Sequence, residues 1–404
     1  MDRRDFMSLI ALAGGASALN LADRAAAADA PVAVSTQSRA AFQELLGILG
    51  EIDRRWLSAE WNIAPRDIAD GHRSILHLLS AALDVLAEAD PERPIFQRLV
   101  SPTRKIQGDN PDAIYFYAPI LDDRSYRIRG NTAGAAYTSI SMEIGSAGGR
   151  YPTGVARAIS DKELKVAADG SYELILGPDQ RPGNWFKLEK GVGSITTRHY
   201  FETEPSIEKD LDKVIPLSIE PLDPVGPRPA PTDESIAASI RAVGTWMHSF
   251  TLEQPPMVGP GRTVPSWVST VPNTFNQPAL PDGQIGFANR DAYYAMAPYF
   301  LKPDQALVIE GRYPKCRFAN VMLWNRFLQT YDYMTHRISL NRKQTRLEAD
   351  GDFRIVVAHS DPGLPNWLDT QGRPTGLIYW RFVFPEEPIQ PLAAKVAPLA
   401  SLKG

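Results

Sequence analysis

The sequence predicts a mainly β protein: two jelly-roll-like β-sandwich units made by internal duplication, with an N-terminal helical region and a helical segment in the linker. Three observations carry this. One pattern occurs twice: Gly170, Tyr172, Leu174, Ile175 and Leu176 lead through Asp179 and Pro182 to Asn184-Trp185 and on to Arg198, while Gly351, Phe353, Ile355, Val356 and Val357 lead through Asp361 and Pro362 to Asn366-Trp367 and Arg381. The order is the same and the intervals agree to within one residue, so one architectural unit is built twice. From Arg104 onward the texture is short alternating apolar runs bounded by Gly, Pro, Asn and Asp, which is how strands read. Finally, 34 prolines and 29 glycines supply the turns of a β framework.

Residues 1–30 read as a twin-arginine signal peptide. Arg3 and Arg4 precede a mildly apolar stretch from Met7 to Leu21, and Arg24 precedes the small residues Ala25 to Ala28. The apolar run is too short to span a hydrocarbon core of roughly 30 Å. A periplasmic or secreted protein is therefore expected, exported folded by the twin-arginine translocase, with no stable membrane insertion after signal removal. Residues 31–103 form the helical region: Ala40, Phe42, Leu45, Leu49 and Ile52 recur at helical spacing, as do Ile75, Leu78, Leu79, Ala82 and Leu86. Residues 104–225 form the first sandwich, with strands at 114–118, 126–129, 136–143, 172–176 and 194–201. Residues 226–303 form a Pro-rich linker with a helix from Glu234 to Phe250 and a second from Arg290 to Phe300. Residues 304–404 form the second sandwich and an extended tail.

Within the repeat, Asn184 and Asn366 are expected to fix their turns, and Trp185 and Trp367 to plug the sandwich, because an indole offers much area and one donor. Arg198 and Arg381 are weighed as framework for the same reason. The run Asp361-Pro362-Gly363-Leu364-Pro365-Asn366-Trp367-Leu368-Asp369-Thr370-Gln371-Gly372, with Gly376 and Arg381 behind it, resembles the C-terminal signature of the DUF1214 domain family. Gly108-Asp109-Asn110-Pro111-Asp112 with Tyr115 is similar to the motif opening the β region in those exported proteins. The resemblance implies a jelly-roll-like sandwich beside a helical region and gives no settled activity. The chain departs from it between Val321 and Asp332, which lacks the family's Pro-Pro-Val element.

Function is sought where the copies differ. The second copy carries Trp324, Asn325, Arg326, Tyr331, Asp332, Tyr333 and His336, where the first, around Ser141 to Arg150, is glycine-rich. Tyr331, Asp332 and His336 are candidate acid-base residues; Trp324, Asn325, Arg326 and Tyr333 are candidate substrate contacts. His359 is the other unmatched imidazole, with Asp361 two residues on to orient it. The six histidines show no metal-binding spacing, no G-x-S-x-G elbow is present, and Cys316 reads as a small buried hydrophobe. No organic cofactor motif appears. Asp109, Asn110 and Asp112 leave a divalent cation open, against the alternative of an Asx turn at a strand entry. A net charge of −4 and pI near 5.9 point away from nucleic acid. Two functions follow. One is a cofactor-independent periplasmic enzyme, hydrolase or lyase, for a small organic substrate; the other is a non-catalytic glycan- or envelope-binding protein.

Overall fold

The computed structural model describes residues 34–58, 63–254, 264–281 and 285–402, and the expected export signal at residues 1–30 lies outside them. Three helices lie where apolar periodicity places two in the N-terminal region and one in the linker. They are α1 (Gln37–Trp56), α2 (Pro65–Leu86) and α3 (Asp233–Thr251). Each buries one stripe: Leu45, Ile52 and Trp56 on α1, Leu78, Ala82 and Val85 on α2, Val243, Met247 and Phe250 on α3. Proline in the first turn starts α2 at no cost in helical bonds, and a Thr232/Ser235 capping box starts α3. Asp233 also accepts the Gln37 and Ser38 amides at 2.7 and 3.0 Å, so a carboxylate on α3 caps the orphan donors of α1. The Trp246 ring of α3 meets Tyr117 edge-on at 6.0 Å, and Ser74 of α2 bonds Gln329, so the helices cover both halves of the β framework.

Seventeen strands, β1 to β17, are assigned among the described residues. In the first half β2 (Ala113–Pro119), β8 (Val192–Tyr200), β4 (Tyr137–Ile144) and β5 (Gly154–Ser160) make one sheet, extended at its edge by β1 (Gln97–Arg98). The facing sheet runs β7 (Trp185–Lys187), β6 (Ser171–Gly177), β3 (Tyr126–Asn131), β9 (Leu217–Pro221). The second half repeats both orders strand for strand. One sheet runs β10 (Ala292–Phe300), β16 (Thr375–Val383), β12 (Phe318–Trp324), β13 (Ser339–Asn341); the other runs β15 (Trp367–Asp369), β14 (Phe353–Ala358), β11 (Gln305–Gly311), β17 (Ala393–Pro398). The duplication read from the Asn-Trp motif is therefore two eight-stranded sandwiches of one topology, beside helices.

Three local expectations are corrected. Arg290 to Phe300 is β10, paired with β16 along nine residues rather than helical. Its alanines and Met296 mimic a helical stripe because the strand is buried on both faces, and Pro298 is tolerated at the sheet edge. Trp185 and Trp367 do not plug the sandwiches. With side chains alternating along a strand, Phe186 and Leu368 turn inward and the tryptophans stay half-buried on the opposite face. Cys316 sits in the loop before β12, half-buried, rather than within a strand. Asn366 does hold its turn, donating to the Arg346 and Arg354 carbonyls and accepting the Arg346 amide.

The two sandwiches brace each other through the turns that enter β2 and β10. Asn110-Pro111-Asp112-Ala113-Ile114-Tyr115 and Asn289-Arg290-Asp291-Ala292-Tyr293-Tyr294 share the pattern N-x-D-A-x-Y. In each turn the asparagine Oδ1 accepts the aspartate amide at 3.0 Å. Asn320 on β12 donates to Asn110 and Asp112 at 2.8 Å each; reciprocally, the Tyr137 hydroxyl on β4 reaches Asn289 at 3.0 Å and Asp291 at 2.8 Å. Two residues before each asparagine the backbone is left-handed, at Gly108 (φ 90°) and at Phe287 (φ 57°). Each aims its carbonyl at an arginine of the other sandwich.

Candidate functional site

Between the sheets that carry β8 and β16 lies a cavity of about 180 Å³. Its polar floor comes from alternate residues of those two strands. Thr196, Arg198 and Tyr200 face it from β8, Tyr379 and Arg381 from β16, and Tyr115 and Tyr294 from the strands paired beside them. The strand period of two delivers one face of each sheet to the cavity. Leu99, Val100, Ile285, Phe287, Leu328 and Trp267 make the apolar walls.

Both arginines are buried, at 3% exposure for Arg198 and 4% for Arg381. Arg198 donates to Ser141 Oγ at 2.6 Å and the Phe287 carbonyl at 2.8 Å, and Glu143 lies 3.8 Å away. Arg381 donates to the Gly108 carbonyl at 2.7 Å and meets Met322 Sδ at 3.1 Å. Its guanidinium also lies 4.7 Å from the centre of the Tyr379 ring and 5.3 Å from that of Trp324, two rings stacked at 4.1 Å. Cation–π contact supports the guanidinium without neutralising it. Burial pushes the Glu143 carboxyl up to about 7 against the opposing pull of Arg198. Burial likewise raises the Tyr115 phenol well above its usual value; it is hydrogen-bonded to Tyr200 and neutral at physiological pH. A cavity walled by aromatics and holding two guanidiniums, with Glu143 behind one of them, is built to take a small molecule with an acidic group.

Of the residues picked out from the sequence, Trp324 lines this cavity, its indole N–H donating to the Asp109 carbonyl at 3.0 Å. Tyr333 and His336 line a separate pocket of about 160 Å³ with Ser206, Lys209 and Gln344. The expected imidazole-carboxylate pairs are not formed. His336 Nδ1 lies 2.7 Å from Asp369 Oδ2, not against Asp332, whose carboxylate accepts the Met334 amide and the Thr335 hydroxyl within its own turn. His359 Nδ1 lies 2.6 Å from Thr370 Oγ1, while Asp361 accepts the Gly363 amide at the surface. Short acids after a strand satisfy nearby backbone donors first. Tyr331 shares a 2.8 Å hydroxyl contact with Tyr299, Asn325 accepts the Phe327 and Gln329 amides, and Arg326 lies 3.5 Å from Asp67 of α2. These three hold the connection between β12 and β13 in place.

Asp109 accepts the Thr330 amide at 2.7 Å and the Thr330 hydroxyl, and Asp112 accepts Asn320 and Asn341. Their oxygens are thus occupied by protein donors in the turn arrangement, which leaves little for a cation. Burial raises the Cys316 thiol to about 11, far from a thiolate. Arg198, Arg381, Tyr115, Tyr294 and Glu143 were not among the sequence candidates. The repeated N-x-D-A-x-Y pattern was the available signal, since it marks Tyr115 and Tyr294 among the cavity tyrosines.

The chain resembles two solved structures. An uncharacterized protein from Burkholderia cenocepacia superposes with a TM-score of 0.74 at 28% identity, over 90% of this chain and 99% of that one. A protein from Vibrio parahaemolyticus gives a TM-score of 0.47 at 12% identity, over 81% of this chain and 98% of that one. No protein-family model matches the chain, and no curated protein does.

Proposed function

We propose that the protein binds a small, largely apolar organic anion, a carboxylate or phosphate ester, in the cavity between its two sandwiches. The observation that carries this is Arg381: a buried guanidinium facing a cavity, with no carboxylate within salt-bridge distance among the described residues. Asp109, the carboxylate lining the same cavity, acts on it only from beyond that distance and is already held by Thr330, so an anionic ligand supplies the direct partner that a buried charge favours. An engineered cavity of roughly 150 Å³ takes benzene, so 180 Å³ suits one ring or a short alkyl body with its acid group. The paired arginines near the N-terminus support a site of action outside the cytoplasm.

A second reading, turnover by hydrolase or lyase chemistry, rests on the 2.7 Å contact between Asp369 and His336 beside the separate pocket, since an oriented imidazole is what acid-base catalysis requires. For the glycan alternative, Trp324 would have to offer an open stacking face, and it is buried. Calorimetric titration of the mature protein with aliphatic and aromatic acids tests the anion reading. Arg381→Gln, which removes a charge-assisted bond, is expected to weaken binding by about 10- to 100-fold. Unchanged affinity in that variant would sink the proposal.

A further inference from the structure

The two arginines of the cavity stand at matched positions but keep different company. Ser139 pairs with Arg198 across β4 and β8, and Asn320 pairs with Arg381 across β12 and β16. Counting on along the same strands, Ser141 matches Met322 and Glu143 matches Trp324. At Arg198 the neighbours are therefore a hydroxyl at 2.6 Å and a carboxylate at 3.8 Å; at Arg381 they are a thioether and an indole face. The fold does not need an acid at this place, because the second copy builds the same strand and the same brace around a tryptophan. Glu143 Oε2 accepts the Phe287 amide at 3.1 Å, while Oε1 has no hydrogen-bond partner and lies 3.8 Å from Arg198.

We infer that Glu143 is a specificity residue that makes the cavity select monoanions and reject dianions of the same shape. This rests on the anion reading above. The acid group of the ligand sits at Arg381, and its other end, toward Arg198, is neutral. A second acid group there finds Arg198 already paired with Glu143, 3.8 Å behind it, and in that buried setting the two like charges repel far more than in water. Arg290 adds a weaker positive field at Glu143.

The test compares 4-methylbenzoate with terephthalate, which differ by one carboxylate at nearly constant shape, titrated calorimetrically into the mature protein at about pH 8. The monoacid is expected to bind at least about tenfold tighter, and Glu143→Gln is expected to bring the diacid to within about threefold of it. A second arm uses the wild-type protein alone. Lowering the pH to about 6 protonates Glu143, and the preference narrows. The other groups facing that carboxylate are Arg198, Arg290, Thr196, Tyr117 and Tyr151, and burial raises both phenols above their usual value, away from this range. Equal binding of both probes by the wild type, or a preference that persists in Glu143→Gln and at the lower pH, overturns the assignment. If no monoacid from acetate to 4-methylbenzoate binds at all, the anion reading itself falls.

Discussion

Replacing Asn320 by leucine removes the brace that one sandwich lends the other while nearly preserving volume. Both Nδ2 hydrogens are in use, one on Asn110 Oδ1 and one on Asp112 Oδ2, each at 2.8 Å, and all three side chains are buried. One lost bond is to a neutral acceptor and one to a carboxylate. Asp112 keeps Asn341 at 2.9 Å and Asn110 keeps the Asp112 amide, so the two losses together amount to about 3 kcal/mol. Tyr137→Phe makes the matched cut in the other sandwich. There a single hydroxyl proton serves Asn289 and Asp291 in turn, so about 1 kcal/mol is expected. Equilibrium urea unfolding measures both. The Asn320 deficit also depends on pH. Burial raises the Asp112 carboxyl in the folded state, opposed by Asn320, Ser206 and Asn341. A raised carboxyl costs stability when ionised and regains it as pH falls through its folded value. Losing Asn320 raises it further, so the deficit shrinks as pH falls through the raised folded value. A cost below about 1 kcal/mol for Asn320→Leu, or one no larger than that of Tyr137→Phe, would refute the idea that these turns lock the sandwiches.

His199 is fully buried with neither ring nitrogen bonded, and burial drives its pKa down to about 3. The unfolded chain protonates this ring near 6.5 and the folded one does not, so stability is lost as pH falls below that value; by about pH 5 the loss is about 2 kcal/mol, which His199→Leu should abolish in acid titrations of unfolding. His336→Gln should leave the melting temperature within a degree or two, because its one ion-pair contact is half-exposed and worth little. If the second reading holds, the same change abolishes turnover of a hydrolysable ester panel without altering acid binding in the central cavity; persistent turnover rules it out. Arg3→Lys with Arg4→Lys in a full-length reporter fusion should keep the reporter in the cytoplasm, and normal export of that fusion would remove the twin-arginine assignment.

The architecture was readable because its punctuation is local. Gly170 and Gly351 both adopt left-handed backbone, Asn366 ties its own loop, and such turns leave the same trace in both halves of the chain. β10 was misread because alternation disappears when both faces of a strand are covered. The central cavity was hidden for a different reason. Arg198 and Arg381 recur at matched places, and repetition alone reads as framework; only packing one sheet face on another turns two framework arginines into neighbours. Trp324 was found because it differs between the copies. Glu143, its partner in that difference, passed unnoticed in a glycine-rich stretch.

The reciprocal bracing has a consequence for descent. A chain holding one such sandwich, paired with a second copy of itself across the same face, would make the same contacts twice, each entry turn held by its neighbour's strand, as in any isologous dimer. In that arrangement every change appears on both sides at once, and an acid installed beside one arginine is installed beside the other. Covalent joining of the halves removes the obligation. Glu143 in one half and Trp324 in the other is a divergence open to a fused gene and closed to a symmetric pair.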